Sequence, residues 1–213
     1  SECHAIDDDM RWLIALISDT GMRLAEGAGL LKQDFIGLDT GKPYVRVTKH
    51  PWRNLKTASS ERKIPLVGEA LWAARRILEA DNGSDFAFPR YNRTSPTAAN
   101  SASAALNKWL KQHVPVGCTM HSFRHSMRDR LRAVQCPADI TDQIGGWTTD
   151  GVGQGYGSGY PMSVLKHRIQ RVFLVVTQLL FGRKVQIAGS QKLQPIDRAF
   201  FNMTELNAVP VFR

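Results

Sequence analysis

The chain has 213 residues, 43% of them hydrophobic and 22% charged, enough apolar material to bury a real core and too much for a disordered chain. Its 28 Lys and Arg against 19 Asp and Glu give a formal charge of +9, which points to a polyanionic partner, nucleic acid before an anionic membrane. Cys3, Cys118 and Cys136 are odd in number and lack metal-ligand spacing, so they read as small buried hydrophobes in a reducing setting and not as a disulfide framework.

The sequence begins Ser-Glu-Cys without Met and enters a helical pattern at once, so it reads as a piece of a longer protein whose N-terminal domain is missing. No signal peptide precedes that pattern. Asp7, Asp8 and Asp9 suit the positive end of a helix, and Met10, Leu13, Ile14 and Ile17 recur at i, i+3, i+4 and i+7, with Gly21 as the stop. A second helix is predicted from about Arg23, with Leu24, Ala28 and Leu31 on one face. Gly27 and Gly29 inside it cost about 1 kcal/mol each against Ala, which implies close backbone packing.

From Lys42 the period becomes two. Tyr44, Arg46 and Thr48 alternate with Val45 and Val47, and Asn54 to Lys56 and Arg62 to Ile64 flank a turn at Thr57 to Ser60. This predicts a small antiparallel sheet with Lys56 at the shoulder of a mobile hairpin tip. Gly68 to Ala80 reads as a helix with Leu71, Ala74 and Leu78 sharing a face. Arg93 to Ser103 is either a flexible excursion or the start of the helix carrying Leu106, Trp109 and Leu110.

Thr119 to Val134 is the most informative helix. Phe123, Met127, Leu131 and Val134 form its apolar stripe, while His121, Arg124 and Arg128 fall at i, i+3 and i+7 and project together, with His121 in the first turn, where free N–H groups favour an anion. Pro137, Ile140, Ile144 and the Gly145-Gly146 stop define a short helix that delivers the chain to Trp147. The stretch from Gly145 to Tyr160 has seven glycines in sixteen positions and is predicted to be a loop able to carry a tyrosine hydroxyl, Tyr156 or its rival Tyr160, toward a substrate. Pro161 opens a last helix with Leu165, Ile169, Val172 and Val176 on one side. The longest mostly apolar run, Val172 to Phe181, is about half the length of a membrane span. The pattern dissolves beyond it.

Five motifs stand in order: TGMRLAE at 20–26, LKTASSERKIPL at 55–66, HSFRH at 121–125, GGW at 145–147, and Tyr156. Together they resemble the phage-integrase family of tyrosine recombinases over roughly residues 5 to 175. The resemblance implies a mainly α fold with a small three-stranded antiparallel β-sheet (α+β), residues 1–175 being the catalytic domain and 176–213 a C-terminal tail for docking between protomers. It implies DNA cleavage and rejoining through a 3′-phosphotyrosyl intermediate, without metal or cofactor. The implied partners are double-stranded DNA, a tetrameric synapse of identical subunits and accessory DNA-bending proteins, in the cytoplasm of a bacterium or a phage-infected host, with no role for a membrane. A type IB topoisomerase and a catalytically dead, DNA-binding integrase relic are the alternatives.

The residue types suit the opening of a phosphodiester. Planar guanidinium forks from Arg23 and Arg124 can hold and neutralise the charge on non-bridging oxygens. Tyr156, with an unperturbed pKa of about 10, is under about 1% ionised at neutral pH and must lose its proton as it attacks. His121 is the natural general base or a phosphate ligand, and Lys56 the general acid for the leaving 5′ oxygen. Most relatives carry His where this chain has Trp147, though some active members carry Trp. Its indole N–H can donate to a non-bridging oxygen but cannot shuttle protons, and plain packing is the rival role. Glu26 corresponds to a position that orients the active-site Arg, and Arg62, Lys63 and Arg128 are the further expected DNA contacts. Tyr156 lies nine residues past Trp147, the interval relatives show; Tyr160 stands four residues later.

Overall fold

Helix α2 (Asp9–Thr20) is the axis of the molecule, because every residue from Leu13 to Thr20 is buried. A helix apolar on most of its circumference has to be surrounded. The computed structural model describes residues 2–93, 95–148 and 159–180, with side chains of the last helix described through Phe173. Asp8 caps α2, its side chain accepting the Arg11 N–H at 3.0 Å, and Gly21 ends the helix in the left-handed region at φ 62°. Helix α1 (Glu2–Ile6) precedes it, and the five-residue α3 (Leu24–Ala28) follows directly.

Strands β1 (Phe35–Ile36), β2 (Tyr44–Val47) and β3 (Arg62–Pro65) form an antiparallel sheet in that order, with Phe35 opposite Val45, Val45 opposite Ile64 and Val47 opposite Arg62. Val45, Val47 and Ile64 are fully buried, whereas Tyr44 and Arg46 are half-exposed, so the period of two marks the core face as expected. The third strand is not the expected Asn54 to Lys56. His50 and Arg53 exchange backbone hydrogen bonds at 3.1 Å across Pro51-Trp52, and the Arg53 side chain plunges into the interior, which turns the chain away from β2 before residue 54. Lys56 therefore stands on an exposed loop and not on a hairpin shoulder.

Helix α4 (Gly68–Glu79) packs along α2. Its buried face is Ala70, Ala73, Ala74 and Ile77; of the expected Leu71, Ala74 and Leu78 only Ala74 is buried, and Leu78 is 39% exposed. Close contact of the two helices admits small side chains at the seam and leaves the leucines at the rim. Close approach also explains the two glycines near α3. A Cβ on Gly27 would meet Leu13 and Met22 at 3.2 Å, and one on Gly29 would meet Arg53 and Thr97 at 2.9 Å.

Helix α5 (Ala99–Leu110) begins inside the Ser/Thr/Ala/Asn stretch. On α6 (Met120–Ala133), Phe123, Met127 and Leu131 are 0–1% exposed and lie against α2. Helix α7 (Ala138–Gly145) packs on α6 and β3. The last helix, α8 (Met162–Leu180), buries Leu165, Ile169 and Val172 against β3 and α6 of its own chain. Among the described residues no helix is long and apolar enough to cross a membrane.

Candidate active site

The site is built where the C-terminal end of α2, the start of α3, the segment before β3, the first turns of α6 and the end of α7 meet. Arg23 is the N-cap residue of α3, and Glu26, at the third position, accepts its backbone N–H at 2.9 Å through Oε2. The other Glu26 oxygen, Oε1, accepts from Arg23 Nη1 at 2.9 Å, and Ser60 Oγ accepts from the same nitrogen at 3.1 Å. Arg23 is thus aimed by two groups while its side chain stays 24% exposed.

Glu26 is 2% exposed. Burial pushes its carboxyl up, yet the charge and hydrogen bond of Arg62, joined by the bonds from Arg23, outweigh that and hold it below the ordinary carboxylate value. Arg62 Nη2 reaches Glu26 Oε2 at 2.9 Å, Nη1 reaches the Ser60 carbonyl at 2.6 Å and Nε reaches the Ile144 carbonyl at 3.0 Å. With all three side-chain nitrogens committed inside the protein, Arg62 is an internal strut, where its charge had suggested a DNA contact. One signal was available. Arg62 stands two residues before the buried Ile64 on a strand, and the same parity points both inward.

Arg124, on α6, is 4% exposed, and its Nη1 donates to the Gly21 carbonyl at 2.8 Å. Burial first, then the charges of Arg23 and Arg62, pushes its guanidinium down to about 10, so it stays a cation at neutral pH. Its Nη2 is buried and, among the described residues, has no hydrogen-bond partner. The Trp147 ring covers it, with Cζ 4.6 Å from the ring centroid, and Arg128 lies over the same ring at 5.3 Å. That ring fits because of the two glycines before it. A Cβ on Gly145 would stand 1.9 Å from Trp147 Cε3, and Gly146, at φ 62°, closes α7 with the Trp147 N–H reaching back to the Asp142 carbonyl at 3.1 Å.

His121 is exposed at the first turn of α6, its ring edge-on to His125 at 4.8 Å. Partial burial, then the neighbouring His125 ring and the positive charges of Arg124, Arg23 and Lys56, hold its pKa below 6.5 and keep it neutral at pH 7. Those charges show that Lys56, on its exposed loop, shares one electrostatic neighbourhood with both arginines. Lys63 is exposed on β3, 5.6 Å from the Tyr44 ring centroid.

The glycine-rich segment is held at both ends. Thr148 Oγ1 and Ser59 Oγ share a hydrogen bond at 2.9 Å, and Gln143 on α7 accepts the Tyr160 N–H at 2.8 Å and donates to its carbonyl at 3.1 Å. The Tyr160 hydroxyl donates to Asp139 at 2.5 Å, and that bond raises its pKa above the ordinary tyrosine value. Tyr156 lies outside the described residues. Sequence reasoning missed Ser60, the Gly21 carbonyl and Arg53, whose buried guanidinium donates to the Glu26 carbonyl at 3.0 Å.

The structure is thus a mainly helical domain with a three-stranded antiparallel sheet and a cluster of guanidinium, imidazole and ammonium groups in one electrostatic neighbourhood. The chain belongs to the phage integrase family, whose profile matches residues 2–158. DNA recombination and integration are the activity class of that family, and DNA is its partner. No curated protein and no solved structure matches the chain.

Proposed function

We propose that residues 1–175 form the catalytic domain of a site-specific recombinase that cuts and rejoins DNA strands through Tyr156, working in a tetrameric synapse to which residues 176–213 contribute docking contacts. The observation that carries the reading is the buried Nη2 of Arg124, without a hydrogen-bond partner among the described residues, near a partly exposed Arg23 whose carboxylate neighbour, Glu26, is already committed to Arg23 and Arg62. Cations gathered in this way repel one another, and a phosphate bound between them relieves that repulsion.

In this reading the Tyr156 hydroxyl oxygen attacks the scissile phosphorus and its proton passes to neutral His121. Arg23 and Arg124 take the charge growing on the non-bridging oxygens, and the Trp147 indole N–H adds one donor. The bond from phosphorus to the 5′ oxygen breaks, Lys56 giving that oxygen its proton, and the 3′ phosphate remains on the tyrosine. A 5′ hydroxyl from a partner strand reverses the sequence. Tyr160 is the weaker nucleophile because its hydroxyl is engaged by Asp139.

The test is covalent capture. The protein is mixed with nicked duplexes of randomised core sequence, denatured, and the protein-linked DNA recovered and sequenced. Adducts are expected with the wild type and Tyr160→Phe and not with Tyr156→Phe. An adduct that survives in Tyr156→Phe and is lost in Tyr160→Phe would overturn the assignment, and no adduct with the wild type would overturn the function.

A further inference from the structure

We infer that Arg62 is a positioning residue for strand cleavage, aiming Arg23 through Glu26 and Ser60 while fixing the end of α7 that carries Trp147. The inference rests on the recombinase reading and deepens it. Arg62 is not placed to hold the phosphate itself, because its three donating nitrogens each serve a different element: Glu26 on α3, the Ser60 carbonyl before β3, and the Ile144 carbonyl on α7. Both side chains that hold Arg23 Nη1, Glu26 through Oε1 and Ser60 through Oγ, belong to residues held by Arg62. On the other side, the Ile144 carbonyl is among those a helix end leaves unpaired. A Cβ on Gly146 would stand 2.8 Å from Arg62 Nη1, so the turn into Trp147 rests directly on the guanidinium.

Removing Arg62 has a definite electrostatic consequence. Among the described residues Glu26 would keep Arg23 as its one directly paired cation, with the charges of Arg53 and Arg124 farther off, and a buried carboxylate left with one ion pair draws that partner closer. Arg23 would then turn inward, away from the phosphate. If Glu26 instead took up a proton, Arg23 would lose its ionic anchor. Either outcome spoils the clamp, and a displacement of about 1 Å in such a group can cost about 100-fold in rate. Lysine keeps the charge but not the planar fork, so it serves Glu26 and leaves part of the strut unmade.

The experiment measures single-turnover adduct formation on the duplex captured by the wild type, made once with the natural scissile phosphate and once with a methylphosphonate there. The methyl group removes one charged oxygen, and with it the charge that Arg23 neutralises. Arg62→Gln is expected to lose about 100-fold on the phosphate and nothing on the methylphosphonate, with Arg62→Lys in between. Adding Glu26→Gln to Arg62→Gln is expected to cost nothing more. The ratio of the two rates within one variant is independent of how much of it is folded. Equal loss on both duplexes, no loss on either, or losses that multiply in the double variant would overturn the inference alone. Failure of the wild type to form an adduct on both duplexes would overturn the recombinase reading and the inference with it.

Discussion

Gly145→Ala separates the placing of Trp147 from the stability of α7. In a helix alanine is favoured over glycine by up to about 1 kcal/mol, so the backbone gains. The new Cβ, however, would lie 1.9 Å from two carbons of the Trp147 ring, where carbon atoms prefer about 3.5 to 4.0 Å, and the ring must retreat by about 1.6 Å or more. Retreat weakens the stacking on Arg124 and Arg128, at about 0.5 to 1 kcal/mol each. The two effects nearly cancel, and the melting temperature should stay within about 4 °C of the wild type. Cleavage should not, because on the proposed reading an indole moved by more than 1 Å would lose its reach to the phosphate, and one lost oxyanion donor costs on the order of 100-fold or more. Single-turnover cleavage and thermal melting of Gly145→Ala, Trp147→Ala and the double variant make the comparison. Wild-type cleavage by Gly145→Ala, or losses that multiply in the double variant, would refute the reasoning.

The cis packing of α8 predicts that Ile169→Ala, at a site 1% exposed, costs about 2 to 5 kcal/mol and lowers the melting temperature by at least about 4 °C; unchanged melting would mean that this half of the helix is held elsewhere. Because His121 sits below 6.5, its neutral, proton-accepting form persists as the pH falls through 6.5. Cleavage at subsaturating DNA should therefore hold down to that pH and drop only below it, and His121→Asn should lack the drop; a midpoint above 6.5 would contradict the depressed value. Duplex binding by this +9 chain should weaken about 1,000-fold between about 50 and 200 mM salt if about six phosphates are contacted, and a flat salt titration would argue against electrostatic binding.

The helices were legible where one local periodicity decided them. The stripe Phe123, Met127, Leu131 and Val134 is buried as spaced, and so are Leu165, Ile169 and Val172. The face of α4 was not, because which side chains sit at a seam depends on how near the partner helix comes, and that nearness is a property of α2 and its neighbours. Phe35 and Ile36 are too short a pair to show a period, so the sheet's edge escaped while its number of strands did not. In the site, Arg23, Arg124, His121, Lys56 and Trp147 come together from four separate segments, a meeting that the motif order implied and no single motif contained. The charge of Arg62 suggested DNA, and only its parity on β3 pointed inward. The partner it found there, Glu26, lies thirty-six residues away in sequence, beyond the reach of any local pattern.

The Gly21 carbonyl ties the two arginine forks to one reference point. It accepts Arg124 Nη1, and Arg23 follows two residues later in the chain. The spacing between the forks is therefore gauged by a stretch of main chain, which no change of side chain can delete. A shift of the turn should therefore carry both arginines in the same direction, as two jaws bolted to one bar keep their gap when the bar moves. The gauge has one adjustable face: a Cβ on Gly21 would meet Met127 at 2.8 Å, so bulk on either side of that contact resets both forks at once. Variants of this protein that alter the spacing of the two forks should accordingly be sought at Met127, buried against the Gly21 turn, before they are sought among the arginines.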